Sequence, residues 1–201
     1  MTSDTHILIA TRNKGKVKEI RDLVQGLPIE FRSMTDFPDL PDVEEDGVTF
    51  EENALKKART LSRETGLITL ADDSGLCVDA LDGRPGVLSA RYGGEDLSDE
   101  EKCRRLLHEM DGVPDELRTA RFVCVMALVD PNGMERTFEG VCEGKIIHEL
   151  RGSEGFGYDP IFLYEEAGQT FAEMDRTAKN RVSHRGKALK QVGDFLHHKY
   201  P

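Results

Sequence analysis

Positive charge is in short supply in this sequence. In 201 residues, 27 Lys and Arg stand against 38 Asp and Glu, for a net charge of −11. A chain so acidic lacks the basic surface that displaces counterions from DNA or RNA, or that grips an anionic membrane, so neither partner is expected. Long apolar runs are also missing; none nears the roughly 18 residues that would span a bilayer. The opening Met1–His6 has no basic stretch ahead of its short apolar run, so no secretory signal is expected. The four cysteines, Cys77, Cys103, Cys124 and Cys142, form no CxxC pair, which removes a zinc ribbon and a thioredoxin-type site. Three of them sit inside apolar patterns, as small core residues do, and free thiols in a reducing, cytoplasmic compartment are the expectation. The Walker A string, the dinucleotide GxGxxG, the haloacid-dehalogenase nucleophile motif and the Nudix glutamate string are absent as well. With no repeat, low-complexity tract or linker, residues 1–201 read as one domain. The hydrophobic fraction of 38% is enough for a core.

What is present is uneven charge. Residues 36–52 hold eight acids and no Lys or Arg; residues 12–21 hold five basic residues and one acid; residues 176–190 hold six basic residues and no acid. Each run taken alone reads as a solvated face, so the pattern needs its structural setting. The branched apolar run His6–Ala10 predicts a buried strand. A polar turn follows, then a helix with Val17, Ile20, Leu23 and Val24 on one face, which is the opening of an α/β fold. Ile29–Ser33 predicts a second strand and 34–48 a loop. A helix over 49–64 follows, in which Thr49 and Glu52 have capping-box spacing. Ile68–Ala71 predicts a strand ending at Asp72-Asp73-Ser74-Gly75, with 76–81 extended again. A Gly-rich loop over 82–96 leads to a third helix from Ser98. Two long antiparallel strands over 121–129 and 134–147 flank the turn Pro131-Asn132-Gly133. A Gly-rich loop (152–160), a short strand (161–164) and a last helix from about His184 complete the chain.

Four segments could carry chemistry. Thr11 to Lys16 joins a strand end to a helix N-terminus, where free amides, the Thr11 and Asn13 side chains, Lys14 and Lys16 suit a polyphosphate; alone it reads as an ordinary polar loop. Glu44, Glu45, Asp46, Asp72 and Asp73 supply hard oxygen ligands of the kind Mg²⁺ takes, and alone read equally well as a solvated loop and a helix cap. Neighbouring side chains on a strand point to opposite faces, so Asp72 and Asp73 cannot both face one metal. The loop 152–160 offers Phe156 and Tyr158 as flat faces and Asp159 as an acceptor for a stacked base. Residues 179–187 put Lys179, His184 and Arg185 near a helix start, where positive charge opposes the macrodipole; an unfavourable placement points to function.

Together these segments resemble the Ham1/RdgB-type inosine/xanthosine triphosphate pyrophosphatases. The resemblance is carried in order by Thr11–Lys16, Phe50-Glu51-Glu52-Asn53-Ala54, Ala71–Leu76, Pro85–Tyr92, Gly155–Pro160 and Ser183-His184-Arg185-Gly186, which cover nearly the whole chain. It implies a two-lobed α/β fold, with an extended twisted mixed β-sheet flanked by helices and the site in the cleft between lobes. It also implies a homodimer that uses Mg²⁺ to cleave ITP, dITP or XTP to the monophosphate and pyrophosphate. By the same resemblance Thr11, Arg12, Asn13, Lys14, Gly15 and Lys16 hold the triphosphate, with Lys57 a further phosphate contact. Asp73 binds the metal and acts as general base, with Glu44 or Glu45 as a further ligand. Ser74 touches the substrate, and Phe156, Gly157, Tyr158, Asp159, Lys179, His184 and Arg185 form the base and ribose pocket. Arg12 departs from the pattern, which has a small residue there; it must point away from the triphosphate path or add a contact to it. The rivals are a Maf-type pyrophosphatase, which the segments 155–160 and 183–186 argue against, and an idle nucleotide sensor, which has no need of Asp73.

Overall fold

The structure, a computed structural model, describes residues 5–23, 26–94 and 96–200, with Lys14, Gly15, Glu19, Asp22 and Leu23 in backbone only. Seven strands form one mixed sheet in the order β2-β1-β3-β4-β5-β6-β7. They are β1 Thr5–Ile9, β2 Ile29–Ser33, β3 Ile68–Val78, β4 Thr119–Val129, β5 Glu135–Ile146, β6 Phe162–Tyr164 and β7 Gln169–Thr170. Both β2 and β3 pair parallel to β1, while β6 pairs antiparallel with β5 and with β7. The helices are α1 Lys14–Leu23, α2 Phe50–Thr65, α3 Asp99–Glu109, α4 Arg176–Val182 and α5 His184–Lys199.

The chain divides into two compact units: residues 1–73, 124–140 and 187–201, and residues 74–123 and 141–186. The core of the first packs Ile7, Ile9 and Leu70 with Val17 and Ile20 of α1 and with Ala188, Leu189, Val192 and Leu196 of α5. These positions follow the periods of strand and amphipathic helix that the sequence carries. Val24 and the Leu23 side chain, expected on the same α1 stripe, lie outside the described residues. The core of the second unit gathers Leu76, Val78, Cys103, Leu106, Met110, Phe122, Tyr158, Phe162 and Phe171. All four cysteines are free thiols. Among the described residues no helix is long and apolar enough to cross a membrane.

Local signals act as expected at α2. Thr49 Oγ accepts from Glu52 N at 3.1 Å and the Glu52 carboxylate accepts from Thr49 N, while Gly66 ends the helix at φ +69°. Ser98 and Glu101 form the same box at α3. Three expectations change. First, β3 does not stop at Ala71: it runs unbroken through Asp72-Asp73-Ser74-Gly75 to Val78. Alternation holds across that polar stretch, with Asp73 and Gly75 buried and Asp72 and Ser74 half-buried, so the quartet is a strand with two polar faces and no turn. Second, the loop 82–96 contains a short 3-10 helix, Gly86–Arg91. Third, the basic stretch before His184 is itself a helix, α4, capped by Asp175, whose carboxylate accepts from Ala178 N at 2.9 Å.

Candidate active site

Within the first unit, β1 lies between β2 and β3, and the chain passes from β1 to β2 and back past β1 to β3. Right-handed crossovers of that order place α1 and α2 on opposite faces of the strands. The Asp pair on β3 answers to both helices. Asp72 Oδ2 accepts from Lys16 Nζ of α1 at 2.7 Å. Asp73, 8% exposed, accepts at Oδ2 from Asn53 Nδ2 of α2 at 2.9 Å. One turn further along α2, Lys57 Nζ donates to the Asp72 carbonyl at 2.9 Å and forms an ion pair with Glu45.

Just past the C-terminal end of β1, the end that the parallel pairing sets beside the Asp pair, Asn13 caps α1: its Oδ1 accepts from Lys16 N at 3.2 Å, and Thr11 Oγ1 accepts from Asn13 N at 3.1 Å. The side-chain roles expected of Lys14, and the place of Gly15, fall outside what the structure describes beyond the helical backbone. Arg12 points toward the acidic loop. Its Nη1 donates to Met34 O at 3.2 Å, its Nη2 donates to Leu40 O at 2.9 Å, and its Nε lies 3.6 Å from Asp42 Oδ1. Thr11, Arg12, Asn13, Glu45 and Lys57 all line one hollow of about 350 Å³. The acidic stretch is therefore met by cations along its length: Asp42 by Arg12, Glu45 by Lys57 and Asp46 by Lys56 at 2.5 Å. Glu44 is exposed. Among the described residues, no three His, Cys, Asp or Glu are gathered as a ready-made metal cluster.

In the second unit, Gly155 adopts φ +80°, and a Cβ there would stand 2.0 Å from Asp159 Oδ2, so the loop can fold onto that carboxylate only with glycine. Asp159 Oδ2 accepts from Phe156 N at 2.8 Å and forms an ion pair with Lys179. The carboxylate is 3% exposed, and burial pushes its pKa above the ordinary value although Lys179 opposes the shift. The two aromatics part company. Phe156 is 60% exposed, with Lys179 Nζ 5.0 Å and the Arg185 guanidinium 5.7 Å from its ring centre. Tyr158 is turned into the core and donates to Ser89 O at 2.9 Å, and burial raises its phenol pKa. Gly157 N donates to Asp99 Oδ2 at 2.6 Å.

Ser183 closes α4 and opens α5: its own N–H donates to Lys179 O, and its Oγ accepts from Gly186 N at 3.1 Å. His184 and Arg185 therefore occupy the first turn of α5. The His184 ring, 8% exposed, stacks on Phe122 at 4.7 Å with 12° between planes. Arg185 Nη2 stands 3.5 Å from Ser74 Oγ. Lys179 and Arg181, by contrast, sit in the last turn of α4, where the helix dipole favours positive charge. The unfavourable placement expected for residues 179–187 thus applies to His184, Arg185 and Lys187, and not to Lys179 or Arg181. The structure also adds Asn53, which no reading of site residues selected. Its signal was a polar side chain on the buried stripe of α2, 1% exposed beside Ala54 and Ala58.

Residues 7–195 match the Ham1 family. A dITP/XTP pyrophosphatase of Geobacter sulfurreducens is 56% identical over 192 residues, which are 96% of this chain and 96% of that one. The solved structure of a HAM1 protein from Coxiella burnetii superposes with a TM-score of 0.92 at 43% identity, over 96% of this chain and 99% of that one. The Ham1 protein of Staphylococcus aureus gives 0.91 at 37% identity, over 97% and 100%.

Proposed function

The chain belongs to the Ham1 family, and on that premise we propose that it hydrolyses non-canonical purine nucleoside triphosphates (dITP, ITP and XTP) to the monophosphate and pyrophosphate. The observation that carries this reading is the 56% identity, over nearly the whole length of both chains, to a protein named dITP/XTP pyrophosphatase. In this reading Asp73 takes a proton from a water molecule whose oxygen bonds to the α-phosphorus, and the α–β bridging bond breaks to release pyrophosphate. Support comes from its burial and from its fixed partner Asn53. The hollow lined by Thr11, Arg12, Asn13 and Lys57 takes the triphosphate, with Lys14, Gly15 and Lys16 from the start of α1. A triphosphate carries about four negative charges, so an acidic protein needs this local concentration of lysines and amides.

Mg²⁺ is the cation proposed for the same end of the substrate. The oxygens of Asp73 and Glu45 are hard donors that suit it, with Glu44 as the alternative ligand, and Lys57 already holds Glu45 beside the Asp72 backbone. Bound there, Mg²⁺ would neutralise phosphate charge. For the base, Phe156 supplies an exposed ring on which it can stack, with Ser74, Gly157, Asp159, Lys179, His184 and Arg185 as the further contacts of this proposal and the buried Tyr158 anchoring the loop through Ser89 O. Arg185 reads the 6-keto oxygen. The 6-amino group of adenine would set donor against donor, which typically costs about 1–3 kcal/mol for each buried group left unpaired. A cytoplasmic homodimer without nucleic-acid or membrane contacts completes the proposal. The test is direct: with Mg²⁺ and each of ITP, dITP, XTP, GTP and ATP, pyrophosphate and orthophosphate are measured separately. Pyrophosphate from the first three, lost in Asp73→Asn, is expected. Orthophosphate release, or equal rates on ATP, overturns the assignment.

A further inference from the structure

Two residues one helical turn apart on α2, Asn53 and Lys57, perform parallel tasks. Each ties the acidic loop before α2 to the Asp pair on β3. Lys57 joins Glu45 to the Asp72 carbonyl. Asn53 joins Gly47 to the Asp73 side chain: its Oδ1 accepts from Gly47 N at 2.7 Å and its Nδ2 donates to Asp73 Oδ2 at 2.9 Å. An amide has one donor end and one acceptor end, so the Gly47 N–H, which can only donate, fixes which end faces Asp73. Gly47 is required for this approach, since a Cβ there would lie 2.7 Å from Asn53 Oδ1 and 2.9 Å from Glu52 Cβ. Asn53 itself is 1% exposed, next to Ala54 on a helix that also buries Ala58, Leu61 and Ser62. A buried polar side chain in such a position must be fully engaged to be tolerated, and this one is engaged on both sides.

We propose that Asn53 is the positioning residue of the reaction: its amide holds the Asp73 carboxylate in one orientation and locks the 44–47 loop to it. The inference rests on Asp73 being the water-activating group. The side-chain hydrogen bonds of Asn53 run to Gly47 and to Asp73, the group that activates the water, so its loss is expected to slow the chemical step and leave substrate binding in place. A hydrogen bond to a charged group that acts in the transition state corresponds to about a 10- to 100-fold change in rate.

The experiment compares the wild type with Asn53→Ala, Asn53→Asp and Asp73→Asn, following pyrophosphate release from ITP and thermal unfolding. Asn53→Asp has the same size and keeps the acceptor toward Gly47, but at alkaline pH it has no donor for Asp73, so it separates positioning from folding. The expected result is kcat lowered about 10- to 100-fold in both Asn53 variants, with KM within about twofold of wild type. Unchanged kcat in a folded Asn53→Asp, or a loss that tracks only the folded fraction, overturns the inference. Activity retained in Asp73→Asn would instead overturn the general-base assignment beneath it.

Discussion

Lys179→Met would test whether the Asp159 pair governs the stability of the loop 152–160. The side chains of Asp159 and Lys179 are 4% and 15% exposed, and the pair is joined directly. Removing one partner of a buried pair costs about 3–5 kcal/mol, because the other is left as an uncompensated charge. Asp159 has an escape, since it can take up a proton. Burial already lifts its folded pKa above the ordinary 3.8, and Lys179 is the main influence holding it down. Without that ammonium the folded pKa rises further. A carboxyl whose folded pKa exceeds its unfolded value costs no stability below about 3.8; the cost grows as pH rises and levels off above the folded pKa. The gap between wild type and Lys179→Met should therefore be small near pH 4 and reach roughly 3 kcal/mol at pH 8, the lower end of the cost of leaving a buried charge unpaired. Urea unfolding at several pH values measures it. Adding Asp159→Asn keeps an acceptor for Phe156 N while removing the charge, so the double variant should recover most of the alkaline loss. An equal gap at pH 4 and pH 8, or no recovery in the double variant, would refute this reasoning.

Arg185→Ala should cut the preference for ITP over ATP, as a ratio of kcat/KM, by about tenfold or more; an unaltered ratio removes Arg185 from base recognition. Gly186→Ala places a Cβ 1.8 Å from the Asn180 carbonyl oxygen, a backbone atom with little room to give, so α4 and α5 must part. A loss of about 1–3 kcal/mol in urea unfolding is expected, and wild-type stability would show that the helices can slide without strain. Glu109 is held below its ordinary 4.5 first by the Tyr92 hydroxyl at 2.6 Å, then by Arg84 and Arg105. Its contribution is present above pH 4.5 and lost as pH falls through the folded pKa, so the stability gap to Glu109→Gln should close in acid. A gap that does not narrow as pH falls below 4.5 would contradict that hub.

Elements marked by a local chemical event were legible from sequence. Thr49 with Glu52 and Ser98 with Glu101 announce helix starts because both partners lie within one turn, and the strand expected over Ile29–Ser33 coincides with β2. The short helix α4 is hard to read from sequence because its apolar face is only Ala178 and Val182, set among Arg176, Lys179 and Arg181. The Asp175 cap three residues before the Ala178 amide was its one readable sign. Longer-range facts stayed hidden for a different reason. Nothing in the string Asp72-Asp73-Ser74-Gly75 tells a turn from a strand, since polar residues beside glycine usually mark a chain reversal. The strand persists because each carboxylate has a partner placed by a separate helix: Lys16 is 56 residues away and Asn53 is 20.

The same two contacts refine what the uneven charge means. Composition alone makes the 36–52 run a repulsive surface, and pairing in space turns part of it into a fixed array. Arg12, Lys56 and Lys57 meet its carboxylates, and Asn53 binds its backbone at Gly47. Arg12, the one departure from the family pattern in the first motif, belongs to that array. Its guanidinium is spread over Met34, Leu40 and Asp42, so the larger side chain is accommodated by the loop it holds. If the array is what places Asp73, cutting its backbone anchor at Gly47 should be felt in catalysis before it is felt in folding. Gly47→Ala, whose Cβ would press on the Asn53 amide, should then lower kcat in step with Asn53→Ala, and the double variant should lose little more than either alone. Full additivity of the two would show that Gly47 and Asn53 act on Asp73 separately.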